Sequence, residues 1–124
     1  ASMDVLLDIF SPANYGEFRR VLSQNGILIK VIPTENHLKE IRQIVQDHLT
    51  NKDYSNLDIK EHFQEHFSIQ SRQIASLTKP ITAEQRQALL SMTPLLFHVE
   101  QTKIDWTRLT EITIEAEILV GKAL

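Results

Sequence analysis

Two short stretches place proline with small, polar and aromatic side chains directly after apolar runs. They are Phe10-Ser11-Pro12-Ala13-Asn14-Tyr15 and Pro33-Thr34-Glu35-Asn36-His37. In open α/β sheets ligands sit beyond the carboxyl ends of the strands, and this mixture suits a pocket for a flat heterocycle. The same residue types also build ordinary strand-to-helix turns and helix caps. A second constellation, His62-Phe63-Gln64-Glu65-His66, matches the H-x-x-E-H pattern, with two histidines one helical turn apart and a carboxylate between them. Zinc would need a third ligand, and the segment reads as too short for a firm helix. The expectation here is a solvated helix face and no metal.

A third grouping points to a different chemistry. Met3 to Pro12 (MDVLLDIFSP) resembles the phosphoacceptor strand of response-regulator receiver domains, with Asp8 as acceptor and Thr34 and Lys79-Pro80 as its partners. That fold holds Mg²⁺ with an acidic pair on an earlier strand, which is needed to neutralise the transferred charge. Only Asp4 precedes Asp8, and the gap from Thr34 to Lys79 exceeds one strand and one helix. A receiver is therefore the alternative rather than the leading reading. Isolated residues say less. Trp106 and Tyr54 read as core aromatics, His98 between Phe97 and Val99 as a packed or surface histidine, and Arg19-Arg20 and Lys39-Arg42 as helix-solvating cations.

The elements that would position these residues follow from apolar periodicity. Val5 to Phe10 (VLLDIF) is a nearly continuous apolar run, as in a strand buried on both faces of a parallel sheet. Phe18, Val21 and Leu22 recur at helical spacing between Asn14 and Gln24, with Asn25-Gly26 as a left-handed stop. Ile27 to Ile32 (ILIKVI) is a second buried-type strand, which completes a βαβ unit with parallel strands. Thr34 or Asn36 can cap a helix with Leu38, Ile41, Val45 and Leu49 on one face.

Residues 51–58 (NKDYSNLD) form a loop, and Asp58 with Glu61 opens a brief helix through Phe63. Phe67 to Leu77 alternates imperfectly as a strand. Thr82 to Gln85 is a capping box for a helix carrying Leu89, Leu90 and Met92, which Thr93-Pro94 interrupts. Ile104, Trp106 and Leu109 suggest a short helical segment. Ile112, Ile114, Ala116, Ile118 and Val120 alternate with Thr113, Glu115 and Glu117, so the last strand reads as half exposed.

Bulk properties set the limits. The chain has 124 residues, 42% hydrophobic and 23% charged, which suits one soluble domain with one core. A net charge of -3 gives no general attraction to nucleic acid or an anionic membrane, so contact with RNA would need a local basic patch or a separate module. The absence of cysteine excludes disulfides and thiolate metal sites and fits a reducing cytoplasm. No apolar run reaches the ~20 residues that span a bilayer, so no membrane partner is expected.

Certain strings resemble the ribosomal RNA large-subunit guanine-N1 methyltransferases. They are Ser2-Met3-Asp4 leading into the strand that ends Phe10-Ser11-Pro12, Gly26 to Pro33 (GILIKVIP), His37-Leu38-Lys39-Glu40, and Leu89-Leu90-Ser91-Met92-Thr93-Pro94. The first two are generic to methyltransferases, whereas the His-Leu pair combined with the distant Leu-Leu-x-Met-Thr-Pro is more specific. The resemblance implies the C-terminal half of a Rossmann-like α/β fold that uses S-adenosylmethionine. Its sheet would be mostly parallel with an antiparallel last strand, Ile112 to Val120. The family's zinc ribbon, glycine-rich cofactor loop and ribose-binding acid would all lie upstream of Ala1.

The implied activity is methylation of guanine N1 in ribosomal RNA, in the cytoplasm. Phe10, Ser11, Pro12 and Asn14 would lie by the methyl group and the target base, Pro33 and His37 would line the next loop, and Met92, Thr93 and Pro94 would shape the substrate side. Asp8 is not nominated as a base. With half the cleft missing, the expectation is that residues 1–124 neither bind the cofactor nor turn over, and that the uncovered sheet self-associates.

Overall fold

In the computed structural model, residues 2–45, 55–93 and 104–124 are described. A four-stranded sheet runs in the order β1-β2-β4-β3, where β1 is Met3–Ile9, β2 Leu22–Pro33, β3 Phe67–Pro80 and β4 Glu111–Ala123. Helices α1 (Tyr15–Val21), α2 (Lys39–Val45), α3 (Leu57–His66) and α4 (Ala83–Met92) connect or cover them, and Trp106–Arg108 forms one 3₁₀ turn. The fold is mixed α/β. β1 and β2 pair in parallel, as a βαβ unit requires, and β4 is antiparallel to both of its neighbours. The antiparallel last strand thus stands as expected, and parallel pairing among these four strands is confined to β1/β2.

Several local expectations need correction. β1 is an edge strand of this sheet rather than one buried on both faces, with Val5, Leu7 and Ile9 more than half exposed. Helix α1, capped by the Asn14 side chain on Glu17 N at 3.2 Å, ends at Val21. β2 begins at the next residue, so Asn25-Gly26 is not a helix stop. Gly26 has no positive φ and lies inside the strand. Its hydrogen faces the backbone, since a Cβ there would stand 2.9 Å from Met3 O and 3.2 Å from Ser23 N. This close approach coincides with the register shift between Met3 and Val5.

The segment from 57 to 66 is a full ten-residue helix, longer than the brief helix through Phe63 that was expected. The Thr82–Gln85 capping box forms in both directions, at 3.1 and 2.9 Å. Leu49, Tyr54, Pro94 and His98 lie outside the described residues.

The core divides in two. Tyr15, Leu22, Leu28, Ile32, Phe63, Phe67 and Leu119 pack α1 and α3 onto one face of the sheet. Gly121 is needed there, because a Cβ would come within 2.5 Å of the Phe63 ring. A second cluster joins Ile41 and Val45 of α2 to Leu90, Leu109 and Ile112. Pairing registers show which side chains share the helix-covered face: Asp8–Lys30–Leu119–Arg72 form one row across the sheet, and Ile32–Glu117–Ile74 the next. From Thr113 onward the alternation in β4 is therefore opposite to a simple reading, although Ile112 is buried in the second cluster. Thr113, Glu117, Leu119 and Gly121 are buried, while Ile114 is exposed and Ile118 and Val120 are half-buried.

Candidate functional site

A cavity of about 530 Å³ opens at the carboxyl ends of β1 and β2, on the helix-covered face. The β1–α1 turn supplies Phe10, Ser11, Pro12, Ala13 and Tyr15, β2 supplies Lys30, Ile32 and Pro33, and α3 supplies Asp58, Ile59 and His62. Its volume falls in the ordinary range for small-molecule pockets, and its walls are mostly apolar with a few polar groups.

The turn is set by backbone geometry as well as by proline. Phe10 has φ 51°, a left-handed conformation costly for a bulky residue. Its amide still extends the β1/β2 ladder by donating to Val31 O at 3.0 Å, and its ring meets His37 with centroids 5.4 Å apart. Phe10 is thereby held half exposed at the cavity edge.

The floor carries charge. Lys30 and Asp8 are both 3% exposed, and Lys30 Nζ lies 2.6 Å from Asp8 Oδ2. Nζ also donates to Ser11 O at 3.4 Å, and the Ser11 hydroxyl donates to the other oxygen of Asp8. Burial of such a pair is tolerable only because each charge finds a partner with these additional bonds. Tyr15 lies nearby, 4% exposed, with its phenol pushed up to about 12 by burial and then by the negative charge of Asp8. It stays a neutral hydroxyl across the physiological range.

Beyond the cavity, the turn after β2 is fixed by Glu115. Its carboxylate accepts from Thr34 Oγ1 at 2.6 Å and Asn36 Nδ2 at 3.2 Å, bonds that hold it below the usual carboxylate range. Glu115 N donates to His37 Nδ1 at 3.1 Å, and burial followed by the Arg42 charge lowers the His37 pKa. A neutral imidazole that accepts at Nδ1 carries its proton on Nε2.

Of the residues nominated from sequence, Phe10, Ser11, Pro12 and Pro33 converge on the cavity. Asn14 caps α1 instead, and His37 stands behind Phe10. Met92 is 70% exposed at the end of α4, and Thr93 donates to Leu89 O at 2.6 Å, so neither lines this cavity. Sequence reasoning missed Lys30, Asp58 and Ile59; it had Tyr15 in the first pocket stretch, but placed His62 only in a zinc pattern and Asp8 only as a phosphoacceptor. A signal for Asp8 with Lys30 was present: one lone acid in VLLDIF and one lone base in ILIKVI, each at the fourth position of its run. Opposite charges isolated in two paired apolar strands mark a buried ion pair.

The receiver alternative finds no support. Asp8 is buried and bonded to Lys30 and Ser11. Thr34 is committed to Glu115, and Lys79 pairs with Ile112 on the far edge strand, beyond β2 and β4.

No family model matches the chain. A protein of Bacillus subtilis (strain 168) named putative 23S rRNA (guanine-N(1)-)-methyltransferase YxjB is 33% identical over 121 residues, which is 95% of this chain and 43% of that protein. The similarity to this protein runs over nearly the whole chain. A second protein so named, from Micromonospora griseorubida, is 49% identical over 41 residues, covering 33% of this chain and 14% of its own length. The chain thus spans less than half the length of the curated relatives it matches. Among solved structures, a putative methyltransferase from Bacillus halodurans C-125 superposes with a TM-score of 0.49 at 14% identity, over 95% of this chain and 63% of that one.

Proposed function

We propose that residues 1–124 are the carboxyl-terminal part of an S-adenosylmethionine-dependent methyltransferase domain, whose parent enzyme methylates guanine N1 in ribosomal RNA in the cytoplasm. The observation that carries this reading is the sequence relationship to the family, which extends over 95% of the chain. The location of the cavity agrees with it, since ligands of open α/β sheets bind beyond the strand ends.

The chemistry asks for positioning first. Methyl transfer from a sulfonium needs the acceptor nitrogen in line with the departing sulfur, so orientation supplies much of the rate. Guanine N1 must also lose its proton to a nearby acceptor or a water path, and negative charge then spreads toward O6. A cation fixed in a water-poor cavity favours that charge without having to reorganise. Lys30 is such a cation: it lines the cavity and is anchored by Asp8 and Ser11. Asp8 does not itself line the cavity and acts by holding Lys30. Phe10, half exposed at the edge, offers a ring face for a base.

Among the described residues the glycines do not line a cradle for the methyl donor. Gly26 and Gly121 face Met3 O and the Phe63 ring, and among the described residues no glycine has a positive φ. In this reading the donor is held by upstream sequence and supplies the electrophilic methyl group. Titration calorimetry of residues 1–124 with S-adenosylmethionine is expected to show no saturation at micromolar concentration; micromolar affinity would contradict this division of labour.

The decisive experiment incubates the full-length polypeptide containing this chain with large-subunit ribosomal RNA and methyl donor, then digests the RNA to nucleosides. Mass spectrometry is expected to detect 1-methylguanosine. Methyl groups on another base, or none at all, would overturn the assignment.

A further inference from the structure

The last turn of α3 carries His62, Glu65 and His66, whose ligand atoms all lie within 4.8 Å of one another. We propose that these three side chains bind one zinc ion at the rim of the cavity, with the remaining coordination position left to water. The inference concerns a different set of side chains from the methyl-transfer reading and does not depend on it.

Three features support it. The first is the scaffold: residues 57–66 form a continuous ten-residue helix, so the two histidines stand one turn apart on one face. The second is the donor set. Two imidazole nitrogens and one carboxylate oxygen form the open, three-ligand arrangement typical of zinc sites that keep a water. Oxygen-seeking Mg²⁺ and Ca²⁺ gain little from two nitrogens.

The third is preorganisation by a side chain outside the triad. The buried Tyr15 ring lies nearly parallel to His66, with centroids 5.1 Å apart at 19°, and meets His62 edge-on at 5.0 Å. The two imidazoles stand 5.3 Å apart at 85°. Ring planes held in this way have already lost the freedom that metal binding would otherwise cost.

The closure required is small. Tetrahedral zinc with bonds of about 2.1 Å sets its ligand atoms roughly 3.4 Å apart. His62 Nδ1 and Glu65 Oε2 already stand 3.2 Å apart. The Glu65 side chain is 67% exposed, so its carboxylate can make the remaining adjustment while the Tyr15-packed imidazoles keep their planes. His62 also lines the cavity, so a bound ion would place positive charge at its mouth.

The test uses the chain itself. Zinc is titrated against a chromophoric chelator, with Mg²⁺ as the comparison ion, and imidazole coordination is read from long-range nitrogen–proton NMR spectra. One equivalent of zinc is expected to bind, perturbing the ring nitrogens of both His62 and His66, while Mg²⁺ leaves them unchanged. His62→Asn and Glu65→Gln alter exposed side chains and should leave the helical circular dichroism intact. Each is expected to weaken zinc binding at least tenfold, the lower end for loss of even an outer-shell group. Absence of saturable binding, or binding that both variants leave unchanged, would overturn the proposal.

Discussion

Along β2, Leu28, Lys30 and Ile32 face the helices, while Ile27, Ile29 and Val31 face the other way. On the helix-covered face the strands place Asp8, Lys30, Glu117 and Thr113 among the apolar residues, all 3% exposed or less. On the opposite face the rows read Leu7–Ile29–Val120 and Ile9–Val31–Ile118, almost wholly aliphatic, yet Leu7 is 61% and Ile9 58% exposed. The face richer in charge is the buried one.

Each buried charge has its partner. Glu117 accepts from Asn56 Nδ2 at 3.0 Å and pairs with Lys60 at 3.2 Å and Arg72 at 3.3 Å, which ties the start of α3 to β4 and β3. No such network exists on the aliphatic face among the described residues. Along β1 that face is chemically suited to burial yet lies open, whereas at its far end Ile112 is buried in the second cluster. We take this as the physical correlate of the proposal that further sequence completes the domain.

Equivalent truncations on the two faces put this contrast to its strongest test. Leu28→Ala removes a fully buried side chain and is expected to cost about 2–5 kcal/mol. Leu7→Ala, on the neighbouring strand but the other face, should cost under about 1 kcal/mol, because little is buried there to lose. Urea denaturation of the two variants decides the matter, and equal costs would mean that something covers Leu7 in solution. A second copy is the expected candidate, since an open apolar face and a free strand edge invite pairing. Light scattering should then find residues 1–124 self-associated and Leu7→Lys monomeric. A wild-type monomer at high concentration would remove that explanation.

The charged row sharpens the contrast from the other side. Lys30→Met alone strands a buried carboxylate and is expected to cost about 3–5 kcal/mol. Combining it with Asp8→Leu replaces the pair with aliphatic groups and should restore stability to near wild type or above, as replaced buried pairs often do. Thermal unfolding of the single and double variants measures both. A double variant as damaged as the single one would show that the pair orders the cavity in some further way. Recovered folding with lost methyl transfer in the full-length polypeptide would assign the pair to function.

Much of the architecture was legible because local signals agreed with the final packing. The β1–α1–β2 unit and the Thr82–Gln85 box follow from periodicity, capping and turn chemistry, whereas the antiparallel pairing of the last strand was implied by the family resemblance. The face assignments were not legible. Alternation in β4 gives two faces but not which one the helices cover, and hydrophobicity alone favours the wrong one. Here tertiary pairing of Glu117 with Asn56, Lys60 and Arg72 overrides the simple pattern, and those partners lie 45 to 61 residues away in the chain. The cavity was half legible for the same reason. Its turn residues carry a local signature in Phe10-Ser11-Pro12, whereas the contributions of Asp58, Ile59 and His62 depend on where α3 docks.

The smallest effect lies where the turn after β2 extends its pairing with β4 through a side chain. His37 Nδ1 takes the hydrogen bond from Glu115 N, and the folded state keeps this imidazole neutral to lower pH than its ordinary value of 6.5. The sign follows from linkage. Between the two pKa values the unfolded chain binds a proton that the folded chain refuses, so acidification favours unfolding. The contribution is therefore complete above about pH 6.5, falls as pH drops through that value, and levels off below the folded pKa. His37→Asn can keep an acceptor near the Nδ1 position without a titrating ring. Wild type should lose a few degrees of Tm relative to this variant between pH 7.5 and pH 5, since all other groups titrate alike in the two proteins. Parallel Tm profiles would mean that His37 is as free to protonate in the fold as in the unfolded chain, and that the bond to Glu115 N does not restrain it.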